Sequence, residues 1–420
     1  MLSLVADGFW LPSVLSRLGK SKGEAGTVGS ALEMSYGACS LVNGVLIDAR
    51  SPRTLLIAAL LLTMVINLAV SVTDVLPVMA GLWAANGAVQ SLGWPSVTNV
   101  FLAWFPDPAA RGAWYSLLST CQNAGAALVP LVIVASINSF GWQAALYAPA
   151  ILAGATALLL AFCLHGSPAE ARNAAARRSG AAEEDTTRKR RSAAAPLASV
   201  LGRQVVMNAS LWVMAMNYFG VSLVRSYLSD WSSVYLVESK SLTLPQVARC
   251  LFLLEAGGFG GSLLAGAASD RLFAGRRGPV VAICSALLAP FILLLRTATD
   301  SLTLQFIYAG LGFCAFPVHV LLGLFSREVV PPAVSSSAGG FVKCIAQIGG
   351  AAAGYPLGKL QETYGWDGVQ LALAGTSIAS AVTACTLWST TAAGRINARH
   401  GTVQDFKSLQ RLGNSKSKTL

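Results

Sequence analysis

Charge is scarce in this chain. Asp, Glu, Lys and Arg make up 12% of its 420 residues, against roughly 25% in a soluble globular chain. Combined with 54% hydrophobic residues and a mean hydropathy of +0.59, that deficit excludes a soluble enzyme and implies a polytopic, all-α membrane protein. Histidine is scarcer still, with only His165, His319 and His400. A membrane phosphatase would need a nucleophilic histidine among Arg/Lys-rich phosphate motifs, and no such constellation occurs. The eight cysteines (Cys39, Cys121, Cys163, Cys250, Cys284, Cys314, Cys344 and Cys385) stand singly in hydrophobic segments. None has metal or redox spacing, so they read as small packing residues. No catalytic group, metal or cofactor is expected. The net charge of +11 does not argue for nucleic acid either, because the basic residues sit in loops between apolar spans.

What is abundant is apolar length. Ala25–Ile47, Thr54–Val72, Val75–Phe105, Ala113–Ile137 and Trp142–Leu164 are each long enough to cross a bilayer. Six further spans are expected at about 209–236, 246–268, 279–296, 301–325, 334–358 and 368–390. Met1 to roughly Val14 is apolar but too short to span, and it lacks the flanks of a signal peptide. It looks like the second half of a helix. Between the sixth and seventh spans, Arg172, Arg177, Arg178 and Arg188-Lys-Arg-Arg191 alternate with Glu170, Glu183, Glu184 and Asp185 in an Ala/Ser background, as in a solvated linking loop. The expected division is a helical bundle over 1–165 with its first helix incomplete, a linker over 166–203, a second bundle over 204–391 and a tail over 392–420. Basic residues alternate between loops as the positive-inside rule requires, which places the linker and the tail in the cytosol.

One span carries a charge it ought to avoid. Leu211 to Leu236 has Arg225 about sixteen residues in, near mid-membrane at about 1.5 Å per residue. A lone cation at that depth costs at least ~2.5–3.5 kcal/mol. An anionic ligand in a watered cavity would offset that cost; so would pairing with Asp230 or snorkelling to one face. Five residues of helix turn Asp230 well off the arginine's face, so that pair is not a natural one. Lys343 and Glu255 also lie in spans, as functional groups or as a pair neutralising one another across the second bundle. His319 is a further candidate for the cavity.

The two halves match. Glu33, Gly44 and Asp48 recur as Glu255, Gly266 and Asp270 at an offset of 222, and Phe140-Gly-Trp142 recurs as Tyr364-Gly-Trp366 at 224. Same-direction copies of six spans each are the build of transporters whose two bundles rock about a midplane site. Asp48 with Arg53, and Asp270 with Arg271, stand at helix ends. There an Asp can cap a helix or pair with arginines on a neighbouring helix, in a structural or a gating role.

Several of these residues resemble a known family. Asn86-Gly, Gly93-Trp-Pro-Ser96, Trp104-Phe105, Arg111-Gly112 and Asn123-x-Gly125 look like the organophosphate:phosphate antiporter signature of the major facilitator superfamily. Arg225, Asp230 and Trp231 match its seventh-helix motif. Ser119-Thr120 and Leu211-Trp212-Val213 are most similar to the branch that carries glucose 6-phosphate across the endoplasmic-reticulum membrane. The resemblance implies a major facilitator fold and the exchange of a sugar phosphate for inorganic phosphate in a lipid bilayer. It also implies a luminal phosphatase as functional partner. Glycerol 3-phosphate is the rival substrate, and a phosphate-ester sensor that does not transport is the rival role.

On this resemblance Arg225 is the anion-binding cation, offering a planar, charge-assisted fork to phosphate oxygens. Tyr218 would supply a phenol to phosphate or sugar, or simply pack. Gln122 and Asn123 would hydrogen-bond substrate, or bridge helices. The chain also departs from the family. The first-helix cation of relatives would fall at Leu4-Val5, Asn99 stands at a position basic in relatives, and Ser96 replaces a second proline. Either the given start lies inside a longer chain or half of a phosphate clamp is lost, and the former is expected. Lys416 and Lys418, close to Leu420, resemble a dilysine retrieval signal of the endoplasmic reticulum.

Overall fold

Proline and glycine punctuate the chain into helices. The computed structural model describes residues 22–107, 111–178 and 202–390. The half span before residue 15, the Arg188–Arg191 run and the tail lysines lie outside them. Before the linker run α1 (Lys22–Ala49), α2 (Pro52–Ser71), α3 (Leu76–Gln90), α4 (Gly93–Trp104), α5 (Arg111–Phe140) and α6 (Ala144–Cys163). The linker holds α7 (Pro168–Arg178), where only a solvated loop is expected from the sequence. After it come α8 (Ala209–Asp230), α9 (Ser232–Glu238), α10 (Leu244–Arg271), α11 (Gly278–Thr297), α12 (Ser301–Glu328), α13 (Ser335–Ala352) and α14 (Tyr355–Cys385). The described residues form no strand.

Local chemistry sets the boundaries. Proline stands in the first turn of α2, α3, α10, α11 and α14, where its missing N–H costs no helical bond. Asn208 caps α8 by accepting from the Ser210 N–H at 3.0 Å, and Asp300 caps α12 by accepting from that of Thr303 at 3.0 Å. The single span expected at Val75–Phe105 is broken at Ser91-Leu92 into α3 and α4. Pro95, four residues on, cannot donate back to Ser91. The span at 209–236 is likewise α8 plus α9, jointed at Trp231, whose indole donates to the Ala353 carbonyl at 2.7 Å.

The repeated Gly-Trp motif is a turn. Gly141 and Gly365 both adopt positive φ, 85° and 68°, a region open to glycine and strained for other residues. Gly365 therefore divides α14 into the close of one span and the whole of the next.

Six helices among the described residues are long and apolar enough to cross a membrane, including α2, α6, α11 and α12. On α2, Leu61, Leu62, Val65 and Leu68 are exposed, as are Ile151, Leu158, Leu159 and Phe162 on α6. Those faces suit hydrocarbon rather than water. Helices α1, α8 and α13 are outside that set and carry Glu33, Arg225 and Lys343 in their apolar runs. Within the second half, Gly257 and Gly261 of α10 lie so close to the Ala309 and Phe313 carbonyls of α12 that no Cβ fits, and Gly349 of α13 meets Phe219 of α8 in the same way. Small residues here let helix backbones touch. The halves meet along two seams, α1 against α13 and α5 against α10.

Candidate functional site

Arg225 opens into a cavity between the halves. Ser119, Thr120 and Gln122 of α5 line one wall; Arg225 of α8, Ser262 of α10 and Phe316, His319 and Val320 of α12 line the other. Counting α8 and α9 as one span, Arg225 is about 24 Å from Ala209 and about 20 Å from Glu238, mid-way across. Its guanidinium sits 4.4 Å from the Phe316 ring centroid, a cation–π contact that offsets part of its desolvation. Asp230 is exposed and forms no ion pair with Arg225 among the described residues, and the Arg225 side chain lines the cavity. The acid whose field reaches Arg225 is Glu255 of α10.

The other expected site residues divide. Tyr218, only 5% exposed, places its hydroxyl 3.2 Å from His319 Nε2, which ties it to the cavity wall. Lys343 Nζ lies 5.5 Å from the Tyr218 ring centroid. The suggested Lys343–Glu255 pair does not form: α13 packs on α8 and α1, whereas α10 packs on α12 and α5, so the two charges are held on different seams. The acid that Lys343 feels is Glu33 of α1, which accepts from Gln347 Nε2 at 2.8 Å across the seam. Asn123 is on α5, with its side chain outside the described residues.

The repeated aspartates form a second constellation at the linker-side ends of the halves. Asp48 of α1 accepts from the backbone N–H of Ser336 at 2.9 Å and of Ser337 at 2.7 Å, and from the Ser337 hydroxyl at 2.5 Å. Asp270 of α10 accepts from the N–H of Gly112 at 3.1 Å and of Ala113 at 2.7 Å. Each carboxylate thus caps the N-terminus of a helix in the opposite half, where orphan N–H groups and the helix dipole favour an anion. Gly44 and Gly266, one turn earlier, make this approach possible: a Cβ on Gly44 would fall 2.5 Å from the Ser336 oxygen, and one on Gly266 2.5 Å from that of Gly112.

Besides capping, Asp270 pairs with an arginine at the start of a neighbouring helix, whereas Arg53 and Arg271 of the same turns lie elsewhere. Arg53 donates to the Ala161 carbonyl, so the partners of Asp48 are the α13 serines. Arg271 is exposed, and Asp270 pairs instead with the fully buried Arg277. Ala274 and Gly275, both at positive φ, reverse the chain after α10 and bring Arg277 back over Asp270. Arg277 also reaches Glu328 with Nε at 3.1 Å and the Ser269 hydroxyl at 2.6 Å, while Arg111 from the other half approaches Glu328 at 3.6 Å. Removing one member of such a buried ionic cluster leaves uncompensated charge, at about 3–5 kcal/mol. Arg277→Ala is therefore expected to lower the thermal midpoint in detergent by many degrees. A shift under about 2 °C, under ~1 kcal/mol, would show that the cluster does not hold these capped helix ends together as a latch.

Sequence reasoning missed Arg277, Glu328, Ser336 and Ser337 as a unit. A signal was available in the repeat: at an offset of 224, Gly112 and Ala113 fall on Ser336 and Ser337.

The model for the Major Facilitator Superfamily matches residues 6–354. A probable hexose phosphate transport protein of Chlamydia trachomatis is 30% identical over 91% of this chain and 86% of its own length. The membrane sensor protein UhpC of Escherichia coli is 28% identical over 90% and 85%, and a glycerol-3-phosphate transporter of Bacillus subtilis is 27% identical over 90% and 86%. Among solved structures, the human organic anion transporter MFSD10 superposes with a TM-score of 0.66 at 17% identity, covering 90% of this chain and 89% of its own, a likeness of fold.

Proposed function

The chain belongs to the organophosphate:phosphate antiporter family of the major facilitator superfamily, and from that premise we propose that it exchanges a sugar phosphate, glucose 6-phosphate first, for inorganic phosphate by alternating access. The observation that carries this reading is Arg225, a cation at mid-span opening into a cavity walled by both halves. A phosphate dianion there takes a two-pronged, charge-assisted contact from the guanidinium. Ser119, Thr120, Gln122 and His319 offer neutral hydrogen-bond groups for sugar hydroxyls. Tyr218 orients His319, and Lys343 adds a second positive charge behind it.

In this reading the paired caps are a gate. Helix N-termini clasped by Asp48 and Asp270 close one end of the pathway, and releasing both opens it. The linker side is the cytosolic side, supported by the positive-inside pattern, and the membrane is that of the endoplasmic reticulum, supported by the likeness of Ser119-Thr120 and Leu211-Trp212-Val213 to that branch. A luminal phosphatase would then consume the imported ester.

The test is counterflow. Vesicles holding the protein are loaded with phosphate and given labelled glucose 6-phosphate outside. Uptake should depend on internal phosphate and be suppressed by excess unlabelled ester. Uptake of glycerol 3-phosphate alone would move the assignment to that ester. One observation favours a second reading: a membrane sensor stands among relatives of nearly equal identity. Saturable ester binding without counterflow would decide for a sensor.

A further inference from the structure

We propose that Arg327 is a second anion-binding residue of this pathway, taking the phosphate group between the Arg225 cavity and the linker-side latch. The inference rests on the cavity being a phosphate-ester site, and concerns where else on the pathway phosphate is held.

Helix α12 lays out the route. His319, Gly323 and Arg327 succeed one another at four-residue intervals, about 6 Å of rise each, on one broad side of the helix. His319 belongs to the cavity wall. At Gly323 there is no side chain, and two phenols converge instead: a Cβ built there would lie 3.6 Å from the Tyr218 hydroxyl and 3.7 Å from that of Tyr115. One step further stands the Arg327 guanidinium, with Tyr115, Asp48, Tyr218 and Tyr36 as its electrostatic neighbours.

Arg327 is 5% exposed, and its Nη1 is buried with no hydrogen-bond partner. The acids within reach are engaged elsewhere. Asp48 spends its oxygens on the Ser336 and Ser337 N–H groups, and Glu328 is held by Arg277 with Arg111 beyond it. Asp48 reaches Arg327 only through its field, so the buried cation has no hydrogen-bonded anion, and a dianion arriving there lowers the cost of its burial. The position is also shaped: a Cβ on Gly339 of α13 would fall 2.5 Å from Arg327 Cζ and 2.7 Å from Nε, so glycine alone leaves the guanidinium its place. A guanidinium whose Nη1 has no hydrogen-bond partner offers a tetrahedral phosphate charge and planar donors at once. It lies about 12 Å along α12 from His319, two steps nearer the capped helix ends than the cavity wall.

The test uses the full chain in nanodiscs with inorganic phosphate as the probe, read by calorimetric titration, and phosphate counterflow in vesicles. Arg327→Gln should weaken phosphate binding about tenfold or more, as expected for losing a charge-assisted contact, with Arg327→Lys within about threefold of wild type. Gly339→Ala, which keeps the charge but displaces it, should also weaken binding, and decides the matter if Arg327→Gln does not fold. Phosphate affinity unchanged in Arg327→Gln, or in Gly339→Ala where the former does not fold, would overturn the inference. So would its restoration by adding Asp48→Asn, which would mark Arg327 as a balancing charge for the latch. A wild-type protein that neither binds nor exchanges phosphate would instead defeat the function proposed above, and this inference with it.

Discussion

Replacing Arg225 with alanine is expected to abolish exchange while leaving insertion and folding intact. The energetics are asymmetric. In the empty protein the guanidinium is held by Phe316 at 4.4 Å and by the field of Glu255, with no ion pair that its loss would orphan. Truncation therefore removes a desolvated charge, and stability should change little or rise. In the loaded protein the same truncation removes two charge-assisted hydrogen bonds to phosphate, each worth about 1.5–3 kcal/mol, or a fall on the order of 10²–10⁴-fold in ester affinity. Arg225→Lys keeps the charge and loses the fork, so roughly tenfold is expected. Counterflow and ester binding, with size-exclusion behaviour as the folding control, give the answer. Alanine exchanging at the wild-type rate would remove Arg225 from the site.

How far the sequence reveals this site follows from what each residue's signal consists of. Arg225 is legible because a guanidinium inside an apolar run is anomalous whatever surrounds it. The Gly141 and Gly365 turns and the Gly44–Asp48 and Gly266–Asp270 pairs are legible because the repeat states them twice. Choices between near neighbours are not legible. Arg271 follows Asp270 directly and is exposed, while Arg277, six residues later, is brought back by a turn through two positive-φ residues. No spacing rule in the sequence foresees that reversal. The Lys343–Glu255 pair failed for a topological reason, since charge complementarity says nothing about which helices are neighbours. Arg327 counts towards the positive-inside pattern like any loop arginine. Its isolation shows only when Asp48 and Glu328 are seen to be occupied.

Gly44→Leu is expected to reduce exchange on the order of 100-fold without removing the phosphate site. A Cβ at this position would lie 2.5 Å from the Ser336 oxygen and 3.0 Å from the Ser337 Cα, both backbone atoms of the α13 N-terminus that Asp48 caps. Overpacking costs about 1–3 kcal/mol where side chains can shift. Here only a whole helix end can give way, so the upper figure applies, and ~3 kcal/mol alters the ratio of closed to open linker-side states about 100-fold. An alternating-access cycle needs the closed state, so exchange falls while phosphate still binds the open one. Accessibility distinguishes this from misfolding. In a background without the native cysteines, Ser336→Cys is fully buried in the closed state and should react slowly with an impermeant thiol reagent given on the linker side. Adding Gly44→Leu should make it react quickly. Protection retained alongside normal exchange would mean that the caps are static joints. Gly266→Leu is the internal comparison, because its Cβ meets the Gly112 oxygen at the same 2.5 Å. That seam also carries the Arg277–Glu328 ion pair, with Arg111 bridging from the other half. Opening it separates charges as well as dipoles, so Gly266→Leu should cost more thermal stability than Gly44→Leu for a similar loss of exchange.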